Sequence, residues 1–216
     1  MDLLRSKVLN ILLVLPALLI GFTIHEFAHA YMADKLGDKT PRFQGRLTFN
    51  PLAHIDPLGF IMILIAGFGW AKPVQTNPYA YKNYYKDDLK VSIAGPISNL
   101  IVAVIFTPIL LLYEKYALIN ISNVKLAVVI YYMMQFIIKY NIMLCIFNLI
   151  PIPSLDGFHI LEDLFPSRFT KYKYKIQQYQ ILILILFLVT PLFDYIVGIP
   201  SNLIYKLLRN IGKLII

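Results

Sequence analysis

Two histidines, His25 and His29, sit four residues apart in the run His25-Glu26-Phe27-Ala28-His29. On a helix, positions i and i+4 share one face a turn apart. Two imidazoles so placed can grip a zinc ion, and Glu26 between them can activate a water for hydrolysis. A catalytic zinc generally takes three protein ligands and keeps one position open. The remaining candidates are Asp56, Asp156, Asp194, His54 and His159, because the other acids lie in loops or beside basic residues as solvated charge. Asp156 is favoured. It follows Pro151 and Pro153, which must break an apolar helix near membrane depth. Such a break is tolerated where it packs in protein or lines a wet cavity, and an ionisable group there marks function. The other reading of Asp156 is a helix cap for 157–164.

The elements that must position these groups are read from hydropathy. The chain has 216 residues, 58% of them hydrophobic and 15% charged, with a mean hydropathy of +0.66. A soluble domain is nearer half apolar and about a quarter charged, so the composition points to an all-α, polytopic bundle of about four to six membrane segments. Four stretches reach spanning length: 8–33, 90–113, 125–150 and 177–199. Pro191 and Asp194 interrupt the last, which predicts two half-helices. The stretch 57–71 is apolar but short and carries Gly59, Gly67 and Gly69. That suits a re-entrant segment. The links 37–56 and 72–88 carry turn and polar residues.

The net charge of +8 does not argue for nucleic acid, because the Lys and Arg residues occupy short links between apolar runs. Loop charge facing the cytoplasm explains them. Arg5 and Lys7 followed by an apolar run and Ala28-His29-Ala30 resemble a signal peptide, but cleavage there would destroy the histidine pair, so a retained anchor is expected. Cys145 is a lone cysteine in an apolar run and reads as a small hydrophobe.

His25-Glu26-x-x-His29, together with Asn148 through Leu155-Asp156-Gly157, resembles the site-2 protease family of intramembrane zinc metalloproteases, peptidase family M50. Gly45-Arg46-Leu47 to Asn50-Pro51, His54 to Gly59, Gly69 to Val74, and Ala94-Gly95-Pro96 to Ser98-Asn99 are similar to its short bacterial and archaeal branch. The resemblance implies one Zn2+ per chain on His25, His29 and Asp156, Glu26 as general base, and Asn148 orienting the substrate or its oxyanion. It implies a transmembrane protein as substrate and a multi-pass place in the cell membrane. The chain departs from the common Asp-Gly-Gly-Arg pattern with Asp156-Gly157-Phe158-His159. His159 is expected at a first-turn helix position. His54 is open between a turn residue, a partner of a ligand and an extra ligand. A single domain over 1–216, without a PDZ or CBS domain, is expected.

Chemistry also constrains topology. Both ligand groups lie at the C-terminal ends of their helices, so helices 8–33 and 125–150 must run in the same direction. One crossing, 90–113, then separates them, and 57–71 must not cross. The side holding links 37–56, 72–88 and the segment after Asp156 collects more Lys and Arg than the other, which places the site towards the cytoplasm. Asn99 is expected to bridge helices, and link 37–56 to wall the site. The rival readings are a metal transporter, which needs metal groups strung through the bilayer, and a non-catalytic scaffold, which a missing glutamate or ligand would favour.

Overall fold

The computed structural model describes residues 2–66, 69–118 and 121–216. Helix α1 (Asp2–Leu36) is followed by the single turn α2 (Thr40–Phe43) and by α3 (Pro57–Ala66). Then come α4 (Tyr84–Leu112), which widens into a π-turn over Tyr113–Ala117, and α5 (Val124–Asn148). Four shorter helices complete the chain: α6 (Asp156–Leu164), α7 (Pro166–Gln177), α8 (Gln180–Val189) and α9 (Ile199–Ile215). Among the described residues Leu9–Leu36, Tyr84–Ala117 and Val124–Asn148 are long and apolar enough to cross a membrane. Gln180–Val189 and Asp194–Ile215 qualify only as one pair, bent by 73°. This is a membrane protein built as an all-α bundle.

Helices α1, α4 and α5 form its centre. Ala17 of α1 meets Val102 of α4 and Ile137 of α5 in one apolar cluster. One turn further along α1, the Gly21 carbonyl accepts from Asn99 Nδ2, which also reaches Asn141 of α5. At the next level the His29 ring bonds the Val91 carbonyl of α4, and His25 and Asn148 line one cavity. Numbers rise together on α1 and α5 and fall on α4. So α1 and α5 run parallel and α4 antiparallel, as a shared ion at their ends demands.

The described part of the segment 57–71, which leaves out residues 67 and 68 and with them Gly67, does not cross. Helix α3 is ten residues long, about 15 Å at 1.5 Å per residue and half the thickness of a bilayer core. The chain then returns alongside it: a side chain at Gly59 would collide with the backbone of Trp70. Ile55 and Ala71 form an antiparallel bridge, and Lys72 N donates to the His54 carbonyl at 2.8 Å. Entry and exit therefore lie at one level. On that same side Gln44 Nε2 donates to Gln75 Oε1 at 2.9 Å.

The C-terminal part breaks into two helices as Pro191 predicts, but the second runs well past the expected end at 199. The chain breaks after Val189 at Pro191, then continues in α9 to Ile215. The sequence hides α9 because Lys206, Arg209 and Lys213 lower its hydropathy. Its other face buries Tyr205 against Leu110 and Ile138 of α4 and α5. Arg209 Nη2 pairs with Glu114 Oε2 at 2.8 Å, and Lys115 Nζ donates to the Ile216 carbonyl at 2.6 Å. The C-terminus thus lies at the far end of α4, away from the histidines. Pro191 bends the segment without folding it back as a hairpin.

This topology has a direct check. In a Cys145→Ala background, cysteines at Gln44 and Lys82 are expected to react with an impermeant thiol reagent from one side of the membrane. A cysteine at Lys115 is expected to react only from the other.

Candidate metal centre

His25 and His29 lie buried on the face of α1 that meets α4. Their Nε2 atoms are 3.0 Å apart. Each Nδ1 faces an oxygen: Asn99 Oδ1 at 2.8 Å for His25 and the Val91 carbonyl at 2.7 Å for His29. An oxygen acceptor at Nδ1 fixes the proton there, so both Nε2 atoms carry free lone pairs. Two lone pairs this close in a buried site call for a cation between them.

Asp156 arrives from the broken end of α5. After Asn148 the prolines Pro151 and Pro153 forbid further helix, and Ser154 takes a left-handed conformation at φ 81°. Leu155 is extended and stands at the N-cap of α6, so Asp156 is the first helical residue and caps nothing. Its carboxylate turns to the histidines instead, with Oδ2 3.2 Å from His25 Nε2 and 3.4 Å from His29 Nε2. That oxygen is buried and accepts no hydrogen bond. His25, His29 and Asp156 form the one three-residue group among the described residues whose ligand atoms lie close enough to share an ion. A tetrahedral zinc with bonds of about 2.0–2.1 Å separates its ligand atoms by about 3.3 Å. The observed edges fit that geometry.

The supporting layer comes from α4. Gly95 permits it: a methyl group there would run into His29 Nε2 and His25 Cε1. Asn99 is fully buried and ties the His25 ring to Gly21 and Asn141. Sequence reasoning expected Asn99 to bridge helices and missed that one of its bonds goes to a ligand ring. The signal was Ala94-Gly95-Pro96 with Asn99 one turn on. The Val91 carbonyl leaves no trace in a sequence.

Glu26 is buried one residue beyond His25. Val74 N donates to its Oε2 at 2.8 Å, and Arg46 Nη2 stands 3.9 Å from the same oxygen. Arg46 also donates to the Lys72 carbonyl, so one guanidinium holds both the glutamate and the strap above it. Asp38 fixes the other end of the strap by accepting from Asn77 N at 2.6 Å.

Of the other candidates, His54 is fully buried away from the cluster, and its Nε2 donates to the Thr48 carbonyl at 2.8 Å. Burial holds its ring below the usual histidine range. His159 is half-exposed in the first turn of α6, 4.0 Å from Glu162. Asp56 accepts from Gly59 N and starts α3. Asp194 opens the π-turn after Pro191. Asn148, the last residue of α5, lines the cavity and returns one Nδ2 hydrogen bond to Leu144 O at 3.0 Å.

A cavity of about 420 Å3 joins the cluster to the surface. Its wall is the strap residues Pro73, Val74, Thr76 and Pro78, not link 37–56 as expected. Link 37–56 acts one layer back, through Arg46. The outer end is acidic, with Asp88 of α4 and Glu162 and Asp163 of α6. Burial, then the Asp88 and Glu162 carboxylates, pushes the Asp163 carboxyl up to about 7, against which Lys173 of α7 acts weakly.

The profile of peptidase family M50 matches residues 13–190. YwhC of Bacillus subtilis (strain 168) is 41% identical over 179 residues, covering 83% of this chain and 81% of that protein. Rip2 of Mycolicibacterium smegmatis is 30% identical over 188 residues, 83% of this chain and 68% of that one. MJ0611 of Methanocaldococcus jannaschii is 29% identical over 144 residues, 66% and 65% of the two chains. All three bear the name "Putative zinc metalloprotease". No solved structure matches the chain.

Two measurements follow from this geometry. Asn99→Ala is expected to weaken zinc binding about 10–100-fold in chelator competition, and Gly95→Ala to weaken it further by displacing both rings. Asp163→Asn tests the acidic end. A carboxyl raised from 3.8 to about 7 on folding binds more protons folded than unfolded between those values. The parent therefore loses stability as pH rises through that window. The gain in unfolding midpoint from Asp163→Asn is expected to be larger at pH 8 than at pH 5.

Proposed function

The chain belongs to peptidase family M50 and is a zinc metalloprotease, and from that premise we propose that it cuts other membrane proteins within or beside their transmembrane segments, as an enzyme of regulated intramembrane proteolysis. One observation carries this reading: a polar cavity leads to His25, His29, Asp156 and Glu26 among helices long enough to cross a bilayer. Such a place suits water chemistry on a lipid-embedded peptide.

His25, His29 and Asp156 would hold the zinc ion through two Nε2 atoms and one carboxylate oxygen. When bound, zinc polarises the scissile carbonyl and brings the pKa of a water near neutrality. Glu26 is the proton carrier. Its Oε2 is occupied by Val74 N–H, which leaves Oε1 to take a proton from the attacking water and return it to the leaving amine. Arg46 keeps the Glu26 carboxylate turned towards the strap. Asn148 uses one Nδ2 proton on Leu144 and offers the other to the developing oxyanion.

The substrate must present an extended backbone, because a helix hides its carbonyls in hydrogen bonds. Glycine near the cleaved bond lowers that cost by about 1 kcal/mol per residue relative to alanine. The positive residues of the links around the site support a cytoplasm-facing site in a multi-pass protein of the cell membrane. From Leu9 to His25 α1 climbs about 24 Å, which sets the histidines near that border.

The decisive substitution is Glu26→Gln. Cleavage of a membrane client is expected to fall by about 10²–10⁴-fold while one zinc per chain remains by elemental analysis. A metal transporter would keep moving metal with this change, and a scaffold would keep its partner. Either result overturns the protease reading.

A further inference from the structure

The cavity is not uniform. Its inner end holds the metal cluster and Glu26, and its outer end holds Asp88, Glu162 and Asp163. Asp163 is 9% exposed, yet its Oδ2 has no hydrogen-bond partner. Asp88 makes no hydrogen bond or ion pair among the described residues. Of the three, Glu162 is the one held by an ion pair, with Lys173 Nζ at 2.6 Å and the His159 ring 4.0 Å away. Three carboxylates thus converge on one wet space beside one ammonium, Lys173, and one imidazole, His159. A buried, unpaired carboxylate costs free energy until something pairs with it. The strap residues Thr76 and Pro78 and the rings of Tyr84 and His159 close the sides.

A bound metal does not suit this end. Among the described residues the ligand atoms of Asp88, Glu162 and Asp163 do not draw close enough to share one ion. A long side chain with a terminal positive charge does suit it, and Lys173 already demonstrates the pairing from within. We propose that the acidic end of the cavity is a subsite for a lysine or arginine side chain of the client, flanking the segment that is cut. This rests on the reading of the protein as a membrane-client protease and adds a rule of selection to it. Transmembrane segments carry Lys and Arg where they emerge into the cytoplasm. A site facing that side meets those residues, and the cavity ties them to the same space as the zinc ligands. The basic flank would then fix how deep along the client the cut falls.

The test uses the zinc-loaded full-length Glu26→Gln protein in lipid nanodiscs, so that binding is read without turnover. The probes are fluorescent peptides, each an apolar segment with a flank, in pairs that differ only by Lys or Met at one flank position. The position is moved along the flank. At one position the Lys peptide is expected to bind about tenfold tighter than its Met twin, equivalent to about 1.4 kcal/mol. Adding Asp88→Asn and Asp163→Asn is expected to bring that ratio close to one, and raised salt to shrink it. Equal binding of the twins at every position overturns the proposal. So does a second metal ion per chain that disappears with Asp163→Asn. Parallel digestion by the parent enzyme separates the two readings: cleavage of both twins with equal binding defeats the subsite alone, and a Lys preference without any cleavage defeats the protease reading alone.

Discussion

Two imidazole nitrogens and a carboxylate oxygen rest 3.0–3.4 Å apart in a buried site, an arrangement that a positive charge among them stabilises. That constraint reaches through the whole bundle. His25 and His29 sit late on α1 and Asp156 follows α5, so α1 and α5 must be parallel. An odd number of crossings must separate them, which α4 supplies alone. The short α3 segment is therefore obliged to turn back, and it does so by pressing Gly59 against the returning backbone at Trp70. The break at Pro151 and Pro153 is needed because an unbroken α5 would carry Asp156 away from the cluster.

The second consequence concerns water. Hydrolysis needs a polar path for water, and here the path to the cluster is walled by strap residues between Pro73 and Pro78. Its backbone does two things. Val74 N–H fixes one oxygen of Glu26, and the Lys72 carbonyl accepts from Arg46. The strap in turn is anchored by Asp38 at the end of α1. Glu26, its guanidinium neighbour and the cavity wall thus form one connected unit. Removing any one donor would leave a buried partner unsatisfied, at about 1–3 kcal/mol.

The sequence made the metal cluster legible because covalent spacing does much of the work. Four residues on a helix bring His25 and His29 together whatever else the chain does, and two prolines before Asp156 announce a break. The dip at 57–71 was readable from length and glycines alone. Other features rest on backbone groups or on long-range packing and have no local pattern. The acceptor for His29 is a carbonyl 62 positions away, and the donor to Glu26 is a backbone N–H. Helix α9 escaped notice because an amphipathic helix with Lys206, Arg209 and Lys213 does not look like a span. It is held by Tyr205 and by Arg209 on Glu114. His54 stayed open in the sequence because a turn histidine, a supporting histidine and a ligand look alike until its Nε2 is seen on Thr48.

X-ray absorption at the zinc edge of the purified, zinc-loaded protein addresses the central claim most directly. The account predicts nitrogen and oxygen neighbours only, at about 2.0–2.1 Å, with the outer-shell scattering of two imidazoles. A sulfur neighbour at about 2.3 Å, or a spectrum with fewer than two imidazoles, would contradict it.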